Sequence, residues 1–359
     1  MRVDKLRQVI LGNELDGMLI SNPLSRRYLS GFSGTAGWLL VSADRAMLAV
    51  DFRYYERAER ESPGWEQMHV TRTYPDILVE MVARADIKVL GIESDHVTLA
   101  QLDEMARKVP EVTFMPLENV VLQMRAVKDE HEIDAIARAV ACSDDAFAHL
   151  CQVIRPGMTE VEVAWELESH MRLHGASATS FESIVGSGPN GAMPHATAGD
   201  RVIREGEPIV LDFGALVNGY CSDITRTISL GHGDDRYERT WRLVLEAQRA
   251  VEEQLRPGMN GKEADAIARD TFARAGHADR FGHGLGHGVG LAIHENPRMG
   301  RLAEDAILEP GMVLTVEPGL YYPGWGGVRI EDVVVVRDDG VQVLTQAAKE
   351  PVLIVQAAR

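Results

Sequence analysis

A short phrase repeats itself within the last two thirds of the chain. Arg155-Pro156-Gly157-Met158 returns 101 residues later as Arg256-Pro257-Gly258-Met259. Each copy ends one helical pattern and precedes another, because Pro and Gly stop helices and set turns. The helix after the first copy opens with a capping box, Thr159 and Glu162, and ends near His174-Gly175; the second, after Gly261, ends near Ala275-Gly276. Further on, EGEPIVLDFG (205–214) resembles LEPGMVLTVEPG (308–319): a turn, an apolar strand, a carboxylate, then Gly. Asp212 and Glu317 are the matching carboxylates, and His195 and His294 occupy matching places. Two similar halves facing each other across a shared site would account for all of this.

The carboxylates stand in costly positions. Asp212 closes the apolar run 208–211, where an ionised carboxylate needs a charged partner or a metal. Asn218-Gly219 then reads as a two-residue type I′ hairpin turn. That register pairs Val217 with Tyr220 and puts Asp212 and Asp223 on one face of neighbouring strands. In the second half, Glu317 ends the run 312–316, and Glu331 precedes the apolar run 333–336. Between them Pro318–Gly327 reads as a turn-rich connection. Arg226 and Arg329 could satisfy these acids as structural ion pairs; divalent cations are the alternative, since carboxylate oxygens suit hard or borderline metals.

Phe281–Gly290 is too rich in glycine to be a helix, so His283 and His287 do not form the helical HExxH zinc motif. Its glycines let the backbone approach a ligand closely, and one imidazole beside four carboxylates makes a mixed set suited to two bridged metals. Gly186–Gly191 matches G-x-G-x-x-G, but Pro189 sits inside the loop and no helix follows, which argues against a dinucleotide site.

The 359 residues suggest two domains, with the boundary near 123–130, where a polar stretch precedes a long helical pattern reaching about 153. The first part alternates strand-like runs (37–42, 46–51, 88–94) with amphipathic helices (74–85, 99–109), as a small α/β domain does. A net charge of −17 argues against nucleic acid or an anionic membrane as partner, and no apolar run is long enough to span one. The start of the chain has no apolar leader, and three scattered cysteines offer no disulfide framework; both fit a cytoplasmic protein.

The words LDFG, SDITRT, GHGLGHGVGLAIHE, TVEPG and GGVRIED resemble those of the pita-bread metallopeptidases, over roughly residues 125–350. That resemblance implies an α+β architecture: a catalytic pita-bread domain over 125–359 with pseudo-twofold halves, and a creatinase-like α/β domain over 1–124. The extra domain, with Tyr28–Phe32 and Asp51–Tyr55 similar to its words, points to the Xaa-Pro peptidases, prolidase and aminopeptidase P. Methionine aminopeptidases generally lack it, and metal-free creatinase does not keep the ligands. The family implies five metal ligands, Asp212, Asp223, His287, Glu317 and Glu331. They would hold two divalent ions, manganese first with zinc or cobalt as alternatives, bridged by Asp212 and Glu331. It implies Glu317 as general base, His195 and His294 on the substrate, and His283 shaping the proline pocket. Arg329 would organise the site beside Glu331 and, with Arg298, bind substrate, Arg298 taking a dipeptide carboxylate. The implied activity is hydrolysis of the bond between an N-terminal residue and a following proline in small peptides, by a metal-activated hydroxide in a homodimer. The dipeptidase and aminopeptidase readings stay open, as do a methionine aminopeptidase and a non-catalytic binding module.

Overall fold

The computed structural model describes residues 2–354. The chain divides into two compact units, one ending at Arg125 and one beginning at Ala126.

The first unit is built on one six-stranded sheet in the order Glu66–Val70, Ala46–Asp51, Trp38–Ser42, Gly17–Ile20, Val89–Glu93, Thr113–Leu117. Its three central strands pair antiparallel and its outer strands pair parallel, so the sheet is mixed. Leu39, Leu40 and Val41 are fully buried, as are Met47 through Val50, which is why these strands read as unbroken apolar runs. The amphipathic patterns fold as helices Tyr74–Arg84 and Leu99–Lys108; Thr98 and Gln101 form a capping box at the second.

The second unit is written twice. In the first half, helix Glu130–Val153 leads through the Arg155–Met158 turn to helix Glu160–Leu173. Strands Ile184–Ser187, Ile209–Phe213 and Ile224–Leu230 follow as an antiparallel sheet. In the second half, helix Asp235–Gln254 leads through the Arg256–Met259 turn to helix Gly261–Arg274. Strands Gly286–Gly288, Val313–Val316 and Asp332–Arg337 then pair in the same antiparallel manner. The two turns match bond for bond. Gly157 N–H donates to Ile203 O at 3.0 Å, and Gly258 N–H to Leu308 O at 2.9 Å. Both glycines lie at positive φ, 96° and 86°, where a side chain would be strained. Capping boxes open both following helices, Thr159 with Glu162 and Asn260 with Glu263. Each half has its own apolar core, Phe147, Leu167 and Phe213 in one and Val244, Phe272 and Leu314 in the other, and helix Glu130–Val153 also packs Ile133, Ile136 and Val140 on Val313, Val333 and Val335 of the second half's sheet. This is an α+β architecture. No helix among the described residues is long and apolar enough to cross a membrane.

Candidate metal centre and active-site cleft

The first pair of acids is set by a hairpin. Asn218 and Gly219 both take positive φ, 49° and 76°, as a type I′ turn requires. Val217 pairs with Tyr220, and the same register runs back to Asp212 opposite Thr225. Asp223, just before strand Ile224–Leu230, therefore shares a face with Asp212. One oxygen from each of them and one from Glu331 lie within 4.8 Å of one another, all three residues buried. Glu331 reaches the cluster from the link between strands Gly326–Arg329 and Asp332–Arg337.

The second half adds a carboxylate and an imidazole. Glu317 follows strand Val313–Val316, and its N–H donates to Leu285 O at 2.9 Å. His287 sits on strand Gly286–Gly288, whose two glycines are sterically required. A Cβ at Gly286 would meet Thr315 O at 2.1 Å, and one at Gly288 would meet Asn296 O at 2.2 Å. The Nδ1 of His287 lies 3.1 Å from Gly288 O; a carbonyl only accepts, so Nδ1 carries the proton. The Nε2 lone pair is then left 3.6 Å from Asp223 Oδ2 and 3.5 Å from Glu317 Oε1. Burial pushes His287 down to about 4, so the ring is neutral and able to ligate.

Four buried carboxyls strain the electrostatics. Burial and then the neighbouring carboxylates push Asp223 and Glu331 well above their ordinary range, and burial pushes Glu317 up to about 8. Asp212 is also raised by burial, although Arg329 opposes the rise. Arginine does not resolve this. Of the four acids Arg329 bonds one, Asp212, Nη2 to Oδ2 at 2.5 Å, leaving Asp212 Oδ1 buried with no hydrogen-bond partner. A divalent cation among these oxygens would neutralise the repulsion and use the orphaned one, so the donor set fits a hard or borderline metal.

The surroundings differ from the sequence expectation in two respects. Arg329 organises the site beside Asp212 rather than Glu331; Glu331 takes the Thr225 hydroxyl instead, at 2.7 Å. The other Arg329 donors go to Thr225 Oγ1 (3.0 Å), Tyr321 Oη (2.6 Å) and Pro194 O (3.4 Å). The guanidinium thus donates to four protein groups, Asp212, Thr225, Tyr321 and Pro194. Second, Pro318–Gly327 is a two-stranded hairpin, Gly319–Tyr322 against Gly326–Arg329. It places Tyr321 to accept from Arg329 and to donate to His283 Nε2 at 2.9 Å, since His283 Nδ1–H is held by Gly284 O at 2.7 Å. Thr225 and Tyr321 are the residues the sequence reading passed over. Thr225 lay inside the word SDITRT, and Tyr321 stands four places after Glu317. Behind Glu331, Arg226 Nη2 donates to Asp332 Oδ1 at 2.8 Å and to Ala347 O at 2.8 Å, and Lys349 pairs with the same Asp332. Burial would raise Asp332, yet these two cations hold it below its ordinary value.

All ten residues singled out in the sequence line one cleft of about 1170 Å³. His294 meets His287 edge-to-face at 4.3 Å between ring centres. Arg298 lies directly across the strand pair from His287, with its head exposed to the cleft. His195 lines the wall contributed by the first half, and His283 stands beside Phe281. Burial, with the nearby Arg298, holds His294 below the usual histidine range. The glycines of 186–191 close a strand into a 3₁₀ turn, Gly188–Ala192, with no helix for a pyrophosphate.

Residues 134–338 match the metallopeptidase family M24, and residues 2–127 match the creatinase/prolidase N-terminal domain. The chain belongs to family M24: it is a prolidase-like metallopeptidase with the pita-bread fold, and the family implies divalent metal ions. It is 37% identical over 351 residues to an Xaa-Pro dipeptidase of Pyrococcus furiosus, covering 97% of this chain and 99% of that one. Among solved structures it resembles an Xaa-Pro dipeptidase from Bacillus anthracis, with a TM-score of 0.95 and 41% identity over 98% of each chain. An X-Pro aminopeptidase from Thermotoga maritima gives a TM-score of 0.93 at 36% identity, covering 99% of this chain and 100% of that one.

Proposed function

We propose that this protein is a metal-dependent Xaa-Pro peptidase that hydrolyses the bond between an N-terminal residue and a following proline, with dipeptides as its preferred substrates. The convergence of Asp212, Asp223 and Glu331 oxygens within 4.8 Å, with the His287 lone pair facing Asp223 and Glu317, carries the reading. Two divalent ions, manganese by the oxygen-rich donor set, would be held by Asp212, Asp223, His287, Glu317 and Glu331. Asp223 lies between the Asp212–Glu331 side and the His287–Glu317 side, whereas Asp212 Oδ2 belongs to Arg329. Asp223 would thus help to hold an ion on either side, and Asp212 would offer its unpartnered Oδ1. When bound, such ions lower the pKa of water toward neutrality and stabilise negative charge developing on the scissile carbonyl oxygen.

The remaining work falls to side chains. Glu317, buried beside the attacking water's place, accepts its proton and returns it to the proline nitrogen as the amide breaks. His195 and His294 donate hydrogen bonds to substrate around the scissile carbonyl. His283, oriented by Gly284 O and Tyr321, shapes the wall against which a proline ring packs. The exposed head of Arg298 receives the carboxylate of a dipeptide, and this, with the dipeptidases among the relatives, supports the dipeptide preference. The three cysteines are free thiols, which supports a reducing, cytoplasmic setting, and the family resemblance supports a homodimer.

Side-by-side turnover of Ala-Pro and longer Xaa-Pro peptides with manganese, before and after chelation, tests the function; turnover that survives chelation would remove it. For specificity, Arg298→Ala should raise KM for Ala-Pro by about tenfold or more, the worth of a charged hydrogen bond, and leave a longer peptide nearly unchanged. Equal effects on both substrates would overturn the dipeptidase assignment.

A further inference from the structure

A second cluster of metal-binding side chains lies on the outer seam between helices Glu130–Val153 and Glu160–Leu173, and it shares no residue with the cleft. His170 and His174 are four residues apart at the end of the second helix, so they project on one face. Their rings stack at 3.9 Å between centres, tilted by 17°. Asp145 reaches across from the first helix and places Oδ2 2.6 Å from His170 Nε2. One atom from each of Asp145, His170 and His174 lies within 4.8 Å of the others.

The neighbours orient these ligands before any ion arrives. His174 Nδ1 lies 2.8 Å from the backbone oxygen of His170, which only accepts, so Nδ1 is protonated and Nε2 presents its lone pair. His149, four residues after Asp145, stacks on the other face of His170 at 4.3 Å and is itself held by Glu166 at 2.6 Å. His170 is thus sandwiched between two rings while its Nε2 stays directed at Asp145. His174 therefore shows the arrangement of a metal-ligating histidine, one ring nitrogen held by a carbonyl and the other free, and an entering ion would take the place of the proton shared by His170 Nε2 and Asp145 Oδ2.

We propose that Asp145, His170 and His174 form a second metal site, selective for a zinc-like transition ion. Two nitrogens and one oxygen suit zinc, nickel or copper far better than the hard ions that an all-oxygen set prefers. Three protein ligands leave the fourth tetrahedral position to water. Bound there, the ion clamps two helices whose inner faces, through Phe147, Leu150, Leu167 and Met171, pack on the core that also contains Leu211 and Phe213 beside Asp212. The site would stiffen the support of a catalytic strand without touching substrate.

The test compares zinc bound per chain in the manganese-loaded protein and in His170→Ala/His174→Ala, after dialysis against micromolar zinc. Zinc entering the catalytic centre appears in both, so the difference isolates the seam. The wild type should hold one more zinc per chain. The single variants Asp145→Asn and His174→Gln should weaken that binding by more than the ~10–100-fold typical for losing a mere outer-shell partner. Both sit at the surface, so folding is preserved and peptidase turnover with manganese should be unchanged. Equal zinc counts in wild type and double variant, or equal affinity in the single variants, would overturn the proposal.

Discussion

The two halves of the catalytic unit share a frame and differ in what they hang on it. Counted from Ile184 opposite Asp212 and from Leu285 bonded to Glu317, the place of His287 is taken in the first half by Gly186. A Cβ at Gly186 would meet the backbone of Gly191 at 3.1 Å, so that strand is pressed against its own turn and has little room for a side chain. The corresponding position in the second half opens toward Asp223, and an imidazole fits. Charge is distributed unevenly too. Asp212 of the first half is bonded by Arg329, lent by the second, whereas Glu317 takes the Thr315 hydroxyl at 3.3 Å and faces the neutral His287 ring. The repeat supplies the geometry, and departures from it supply the nitrogen ligand and the cation.

The largest effect should come from removing a carboxylate common to the design. Glu331→Gln should cost kcat/KM about 10³-fold or more, the several kcal/mol of charge stabilisation a metal provides, together with bound metal. Full metal content and normal turnover in that variant would undo the comparison at its centre. His287→Ala and Gly186→Ala sharpen it. The first should weaken metal binding by at least ~10–100-fold with a small change in melting temperature. The second should keep the metal and lose about 1–3 kcal/mol of stability through overpacking. Titration of metal and thermal melts of the pair would separate ligand from frame.

A pH series tests the unneutralised carboxyls. Glu317 rises from 4.5 to about 8 on folding, so the metal-free folded state holds protons that the unfolded chain has released. Stability must then fall as pH climbs through that window. The chelated protein should melt at progressively lower temperature across it, and the metal-loaded protein should not; parallel curves would refute the account. Smallest and most symmetrical are the caps. Thr159→Ala and Asn260→Ala should each cost about 1 kcal/mol, and urea melts should find them alike if the halves are mechanical equals.

The sequence made the repeat legible because turns are local: Pro-Gly pairs, capping boxes and Asn218-Gly219 act within a few residues. The hairpin register followed from that turn alone, and it put Asp212 and Asp223 on one face. The cleft-lining histidines were visible through their glycine- and proline-marked settings. Partners chosen across the fold were not visible. Arg329 stands two residues from Glu331 in sequence, yet its guanidinium bonds Asp212, 117 residues away, while Thr225 donates to Glu331. Pro318–Gly327 read as a connection because proline and glycine dominate it, and only pairing of Leu320 with Val328 and Tyr321 with Gly327 makes it a hairpin. The second capping box, Asn260 with Glu263, was equally local and was missed because the glycine after it suggested a break.

The segment around Ala347, Ala348 and Lys349 has an importance its position disguises. Arg226 and Asp332 are sealed inside and held by the carbonyls of Ala347 and Ala348 and the ammonium of Lys349. A protease that trimmed the chain after Thr345 would leave a dry guanidinium short of acceptors and a dry carboxylate short of one cation, immediately next to Glu331. Losing the segment after Thr345 would thereby disturb the backing of Glu331, although none of that segment lines the cleft.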